Sequence, residues 1–227
     1  QGCFFRQRRT ISEIQAKPDS SKEQAMNTIN TQHGKIAIII LAAGQSSRLG
    51  NPKQLLKING TSLLQLSMNA ALGSNADQVL LVLGSSAGEI KKQLNSDQIW
   101  ILENPDWESG MSSSLRCGLE NLISQITDIE AVILIVCDQP FVSSDLLNEL
   151  IRTYQSGDKD IIASFYDDIP GTPALFHKSM FQDLLSLKGD KGARMLFTKF
   201  AAQTGTIPFK EGSIDIDTLE NYKNLAK

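Results

Sequence analysis

The sequence is short of the residues from which metal centres and disulfide frameworks are built. Three cysteines, Cys3, Cys117 and Cys137, are scattered over 227 residues, and no pair has CxxC spacing. An odd, dispersed set supports neither a disulfide framework nor a zinc site. Two histidines, His33 and His177, stand far apart without clustered ligand partners, and both read as ordinary polar residues. No apolar run approaches the roughly 18 residues that a membrane span needs. The longest, Ile36 to Ala43, has the length of a strand. An excess of basic charge is also missing: 22 Lys and Arg against 25 Asp and Glu leave a net charge of -3. A general nucleic-acid binder needs a basic face. Neither a nucleic-acid nor a membrane partner is therefore expected, and any polyanionic ligand must be met by a few placed cations and backbone amides.

What is present is the composition of a soluble globular protein, 41% hydrophobic and 21% charged, enough for a sizeable core and a cytoplasmic location. Residues 1–34 are polar and lack hydrophobic periodicity, and Phe4-Phe5 is too short for the apolar stretch of a signal peptide. They are expected to be a disordered leader or a non-native extension, with Met26 a sensible start, and residues 35–227 to form the folded domain.

From Lys35 onward the pattern is strand, loop, helix, repeated. Ile36 to Leu41, Val79 to Leu83, Ile99 to Leu102, Ala131 to Val136 and Ile161 to Ala163 are short apolar runs of the kind that strands buried on both faces produce. Leu55 to Ile58 is short and stops at the turn signal Asn59-Gly60. Between the runs lie helical segments. Thr61 or Ser62 can cap a helix ending before Gly73, another lies around Ala87–Leu94, and Ser143 or Ser144 can cap one bearing Leu147, Leu150, Ile151 and Tyr154. Met111 to Ile126 places Leu115, Leu119, Leu122, Ile123 and Ile126 at helical spacing, which predicts one buried face. Later, Ala174–Phe176 reads as a strand, Met180–Leu187 and Ala193–Phe200 as helices, and Ile214–Ile216 as a last strand before a terminal helix. Such alternation predicts a three-layer α/β/α fold on a mostly parallel, Rossmann-like sheet, with ligands beyond the C-terminal strand ends.

The loop after the first strand runs Leu41-Ala42-Ala43-Gly44-Gln45-Ser46-Ser47-Arg48-Leu49-Gly50-Asn51-Pro52-Lys53. It is not a Walker A loop, because five residues separate Gly44 from Gly50 and Asn51 follows. It is not a dinucleotide fingerprint, because no three-glycine pattern exists. It is nevertheless suited to phosphates. Gly44 and Gly50 allow close backbone approach, and loop amides can nest an anion. Ser46 and Ser47 add hydroxyl donors, Arg48 a planar fork and Lys53 a point charge. A plain glycine-rich surface loop would not need those cations.

The run LAAG-x-SSRLG-x-PKQLL resembles the signature of the MobA-like nucleotidyltransferases, and within them the molybdenum cofactor cytidylyltransferases. Other segments agree with that resemblance in order. Asn104 to Leu115 resembles N-x-x-W-x-x-G-M-x-x-S-L, which implies nucleotide contacts at Asn104, Gly110 and Ser114. Cys137-Asp138-Gln139-Pro140 resembles the D-x-P metal motif, so Asp138 is expected beside Mg2+ and the phosphates. Gly171 to Phe176 resembles G-x-P-x-x-F on the acceptor side, with Gly171 and Pro173. Gly189 to Arg194 resembles GDKGAR, where Lys188, Lys191 and Arg194 could face an anionic acceptor. Asp215 to Tyr222 resembles D-I-D-T-P-E-D-Y, with Leu219 and Asn221 in place of Pro and Asp. Strand alternation would put Asp215 and Asp217 on one face. Asp215 is the preferred second metal ligand, with Asp217 as second choice.

The resemblance implies transfer of CMP from CTP to molybdopterin, with Leu41, Ala42, Ala43, Gly44, Ser46, Ser47, Arg48 and Lys53 around the triphosphate. Lys53 is expected to meet transition-state charge and Arg48 the leaving phosphates. A recipient molybdoenzyme or chaperone would take the product. Guanylyl transfer to the same cofactor, transfer to a sugar or alditol phosphate, and a non-catalytic nucleotide-binding chaperone are the competing readings.

Overall fold

The computed structural model describes residues 34–45, 52–94, 97–190, 192–216 and 219–225. In chain order its elements are β1 (Lys35–Ala42), β2 (Lys57–Ile58), β3 (Thr61–Ser62), α1 (Leu63–Leu72), β4 (Gln78–Leu83), α2 (Ala87–Lys91), β5 (Trp100–Glu103), α3 (Met111–Gln125), β6 (Ile129–Val136), α4 (Ser144–Ser156), β7 (Ile161–Tyr166), β8 (Ile169–His177), α5 (Phe181–Leu185), α6 (Arg194–Lys199), β9 (Thr204–Pro208) and α7 (Leu219–Leu225). Among the described residues no helix is long and apolar enough to cross a membrane. The expected leader lies outside the described residues, Gly34 excepted.

The sheet has seven strands in the order β5-β4-β1-β6-β8-β7-β9. β1 pairs in parallel with β4 on one side and β6 on the other. Its apolar run has no polar alternation because both of its faces are covered. Ile36, Ile38 and Ile40 belong to one buried cluster with Met68 of α1, Ile90 of α2 and Leu147 of α4, while Ala37, Ile39 and Leu41 belong to a second with Leu115 of α3, Leu184 of α5 and Phe197 of α6. The two clusters are the interfaces of a three-layer α/β/α arrangement. β4 and β6 flank β1 on opposite sides, so the strand order reverses there and a crevice opens beyond the C-terminal ends of β1 and β6.

α3 packs unusually close to the sheet. A Cβ at Gly118 would sit 2.9 Å from Val82 Cγ2 and 3.1 Å from Ile39 Cγ2. Gly118→Val is therefore expected to destabilise the fold by about 1–3 kcal/mol through overpacking. Thermal unfolding checks this, and an unchanged Tm would show that α3 can lift off the sheet freely.

Caps fall where the sequence offers them. Ser62 Oγ accepts from Gln65 N at 3.2 Å, Gly73 closes α1, and Ser143 rather than Ser144 caps α4. Other expectations are corrected. Ile123 does not share the buried face of α3: it is 40% exposed, while Leu115, Leu119, Leu122 and Ile126 are buried. The short run Leu55–Ile58 divides between the end of a 3-10 turn, Lys53–Leu55, and β2. β2 then turns back on β3 through Asn59 and Gly60, both at positive φ. The helix expected around Ala87–Leu94 ends at Lys91. β8 runs antiparallel to both β6 and β7, through a tight turn at Asp167 and Asp168, whose φ values are 49° and 61°. Ile214–Ile216 is not a strand. The last strand is β9, an edge strand parallel to β7, where Pro208 needs no ladder partner on its open side.

Candidate functional site

The crevice at the switch point holds a cavity of 380 Å³. The end of β1 and the following residues supply Leu41, Ala42, Ala43 and Gly44, and the tip of β6 supplies Val136, Cys137 and Asp138. Lys53 joins them from the turn behind Pro52. Gln54, which is 1% exposed, donates from Nε2 to the carbonyls of Ala42 at 2.9 Å and Gly44 at 3.1 Å. One buried amide thus holds the root of the loop to the segment that carries Lys53. Ser46, Ser47 and Arg48 lie outside the described residues.

Lys53 Nζ and Asp138 Oδ2 are 2.6 Å apart, with side chains 18% and 20% exposed. The cation from one end of the loop and the carboxylate from the neighbouring strand tip are thus a single charge pair. Cys137, beside them, is inert: burial first, and then the Asp138 carboxylate, push its thiol up to about 12. It stays protonated at neutral pH and is no nucleophile.

The opposite wall is the start of α3, where Gly110 takes φ 94° and Gly110 and Ser114 line the cavity. Asn104 does not line it. Its side-chain amide is buried and donates to Ser113 Oγ at 2.9 Å and Ser114 Oγ at 3.0 Å, while its Oδ1 accepts from Asp106 N at 3.0 Å. Asn104 therefore braces the helix start from behind. The first helical amides are also engaged: Met111 N donates to Asp190 Oδ1 at 3.3 Å and Ser112 N to Gly189 O at 3.1 Å. Gly189 and Asp190 are latched onto the positive end of α3, so those two donors are not open to a ligand in this conformation.

A second cavity, of 410 Å³, lies on the other side of Asp138. Gly171, Thr172, Arg194 and Asp215 line it, and it shares Met111, Val136, Asp138 and Asp190 with the first. Pro173 does not line it; its carbonyl accepts from Ser164 Oγ at 2.7 Å behind the wall. Lys191 and Asp217 lie outside the described residues. Asp215 reaches the cavity without a strand. Ile216 N donates to Asp138 O at 3.1 Å and draws that segment to the β6 tip, so the expectation of a shared strand face for Asp215 and Asp217 loses its basis. Among the described residues no three acidic, histidine or cysteine side chains gather into a metal cage. Two carboxylates facing one chamber still fit Mg2+, a hard cation that usually takes one or two carboxylates and completes its shell with waters and substrate phosphates.

Sequence reasoning passed over Gln54, Gln139 and Asp190, although all three lie inside quoted motifs. The available signal was an amide following a functional residue directly, at Lys53-Gln54 and Asp138-Gln139. Tyr166, on the hairpin, carried no such signal.

Residues 38–204 match the MobA-like NTP transferase domain. The purine catabolism protein PucB of Bacillus subtilis (strain 168) is 29% identical over 83% of this chain and 95% of its own length. The nicotine blue oxidoreductase of Paenarthrobacter nicotinovorans is 28% identical over 82% and 94%. The molybdenum cofactor cytidylyltransferase of Escherichia coli (strain K12) is 26% identical over 82% and 93%. Among solved structures, Rv0371c from Mycobacterium tuberculosis H37Rv in complex with manganese superposes with a TM-score of 0.71 at 27% identity, covering 85% of this chain and 98% of that one. With the domain match running from β1 into β9, the chain belongs to the MobA-like NTP transferase family.

Proposed function

We propose that the chain transfers CMP from CTP to molybdopterin in the cytoplasm, with Mg2+ and with release of pyrophosphate. The observation that carries this reading is the placement of Asp138, paired with Lys53, between two cavities of 380 and 410 Å³. A two-substrate transfer between anions needs such a layout, with one chamber for the triphosphate, one for the acceptor and charge at their junction. The terminal phosphate oxygen of the acceptor forms a bond to the α-phosphorus. The bond from that phosphorus to the bridging oxygen breaks, and pyrophosphate leaves with the electron pair. An acceptor phosphate that is already ionised needs no general base, which suits a junction without histidine.

The residues divide the work. The loop from Leu41 to Gly44, Ser46 and Ser47 cradles the triphosphate, Gly110 and Ser114 face the nucleotide, and Arg48 meets the leaving phosphates. Lys53 meets the charge that develops on the transferring phosphoryl group. Asp138 and Asp215, with Asp217 as second choice, would hold the metal, which supplies charge neutralisation and orientation of phosphate oxygens. The manganese in the Rv0371c structure supports a divalent ion here. Arg194 and Lys191 face the anionic acceptor beside Gly171. The choice of CTP and molybdopterin is supported by the GDKGAR and LAAG segments and by the cytidylyltransferase relative. A molybdoenzyme or its chaperone would receive the product.

A turnover assay with each nucleoside triphosphate, with and without molybdopterin and Mg2+, tests this directly. Pyrophosphate is expected only with CTP, acceptor and metal together. Faster release with GTP would assign the guanylyl reaction, release with a sugar phosphate in place of molybdopterin would move the acceptor, and tight CTP binding without release would make the chain a non-catalytic binder.

A further inference from the structure

The acceptor-side cavity lies where the sheet comes apart. β6 and β8 pair only from Ala131 opposite His177 to Leu134 opposite Ala174. Beyond that point the ladder stops, and the β7–β8 register shifts between Ala163 and Ser164. Gly171 and Thr172, which line the cavity, therefore have no backbone partner on β6. One side chain crosses the gap. Gln139, 4% exposed, points Nε2 at Gly212 O at 2.8 Å, Thr172 O at 3.1 Å and Tyr166 Oη at 3.3 Å, and its Oε1 accepts from Thr172 Oγ1 at 3.3 Å. The orientation of the amide is forced. Gly212 O and Thr172 O are carbonyls and can only accept, so the NH2 end must face them. Tyr166 is locked as well, since a Cβ at Gly171 or at Gly212 would overlap its ring.

We infer that Gln139 is the positioning residue of the acceptor chamber, fastening the β6 tip, the start of β8 and the turn before Asp215 into one wall at a fixed distance from Asp138. The inference rests on the two-substrate reading above. It assigns Gln139 no contact with the reacting atoms. Gln139 lines the second cavity and not the first, so its loss should be felt by the acceptor and not by the triphosphate.

The near-isosteric Gln139→Met, which removes every hydrogen bond and keeps the length, is expected to raise the KM for acceptor by about tenfold or more, with the affinity for CTP unchanged. Gln139→Glu is expected to do no better, because a carboxylate would face two carbonyls. Tyr166→Phe, which removes one hydroxyl, should move the acceptor KM in the same direction by less, and it serves where Gln139→Met fails to fold. An acceptor KM unchanged in the variants, or an equal loss of CTP affinity, overturns the inference. Hydrogen exchange on the nucleotide-free protein decides it even if wild-type protein transfers nothing to molybdopterin, an outcome that would sink only the functional reading. Loss of the Gln139 or Tyr166 contact should speed exchange in residues 171–172 and 210–216 and leave residues 41–45 unchanged. No acceleration, or acceleration throughout, counts against Gln139.

Discussion

Lys53→Ala is expected to lower turnover by about a hundredfold or more, the usual effect of removing one preorganised charge contact from a developing oxyanion. The magnitude is reasonable for a single lysine. A charge about 4 Å from another is worth about 4 kcal/mol at an effective dielectric near 20, and a hundredfold in rate needs only about 2.7 kcal/mol. The side chain is 18% exposed, so most of that interaction escapes solvent screening. A chain of net charge -3 offers no general attraction to replace it. The ion pair with Asp138 adds a second readout. In the nucleotide-free protein Lys53 neutralises the carboxylate that is assigned to the metal, so Lys53→Ala should bind Mn2+ more tightly than wild type while turning over more slowly. Calorimetry and paramagnetic resonance measure the first quantity, and pyrophosphate release the second. Wild-type turnover in Lys53→Ala would remove Lys53 from the chemistry; weaker Mn2+ binding would show that the pair does not compete with metal.

The parts of the site that the sequence announced are those whose chemistry is local. A buried strand followed at once by small residues, hydroxyls and cations in the 41–53 loop reads as a phosphate loop because the strand tip, the turn and the charges lie within a few residues of one another. Ser62 and Ser143 as caps, and the apolar runs of β1, β4 and β6, are legible for the same reason. What escaped depends on partners far along the chain. β9 contains Gly205 and Pro208 and buries Ile207 alone, so its five residues have no strand signature until β7 lies beside them. Asp167 and Asp168 form a hairpin turn without the glycine that usually marks one. Asn104 sits in a motif whose resemblance suggests ligand contact, yet its amide is spent inside the protein on Ser113 and Ser114. Gln139 reads as spacer between Asp138 and Pro140 until Thr172 and Gly212 fold against it from 33 and 73 residues away.

Asp138→Ala is expected to abolish magnesium-dependent turnover, and the same change should leave CTP binding in place. The two outcomes separate because of where the residue stands. The first cavity, proposed for the triphosphate, is lined by the end of β1, the start of α3 and the β6 tip, and among the described residues the Asp138 side chain bonds only to Lys53. Removing a negative charge beside an anionic ligand lowers repulsion, so CTP affinity should hold or rise. The metal, by contrast, would keep one of its two proposed carboxylates, Asp215, and Mn2+ binding by the nucleotide-free variant should fall sharply. Lys53→Ala and Asp138→Ala thus act alike on turnover and oppositely on metal affinity, a contrast that a merely structural ion pair would not produce. Because the two side chains form one unit, the double variant should be little slower than Asp138→Ala alone. Asp138→Asn, which keeps the shape and loses the charge, guards against a folding artefact and should behave as Asp138→Ala does. A rate unaffected by either substitution would place the metal elsewhere and leave the Lys53 pair as a brace between the loop and the β6 tip.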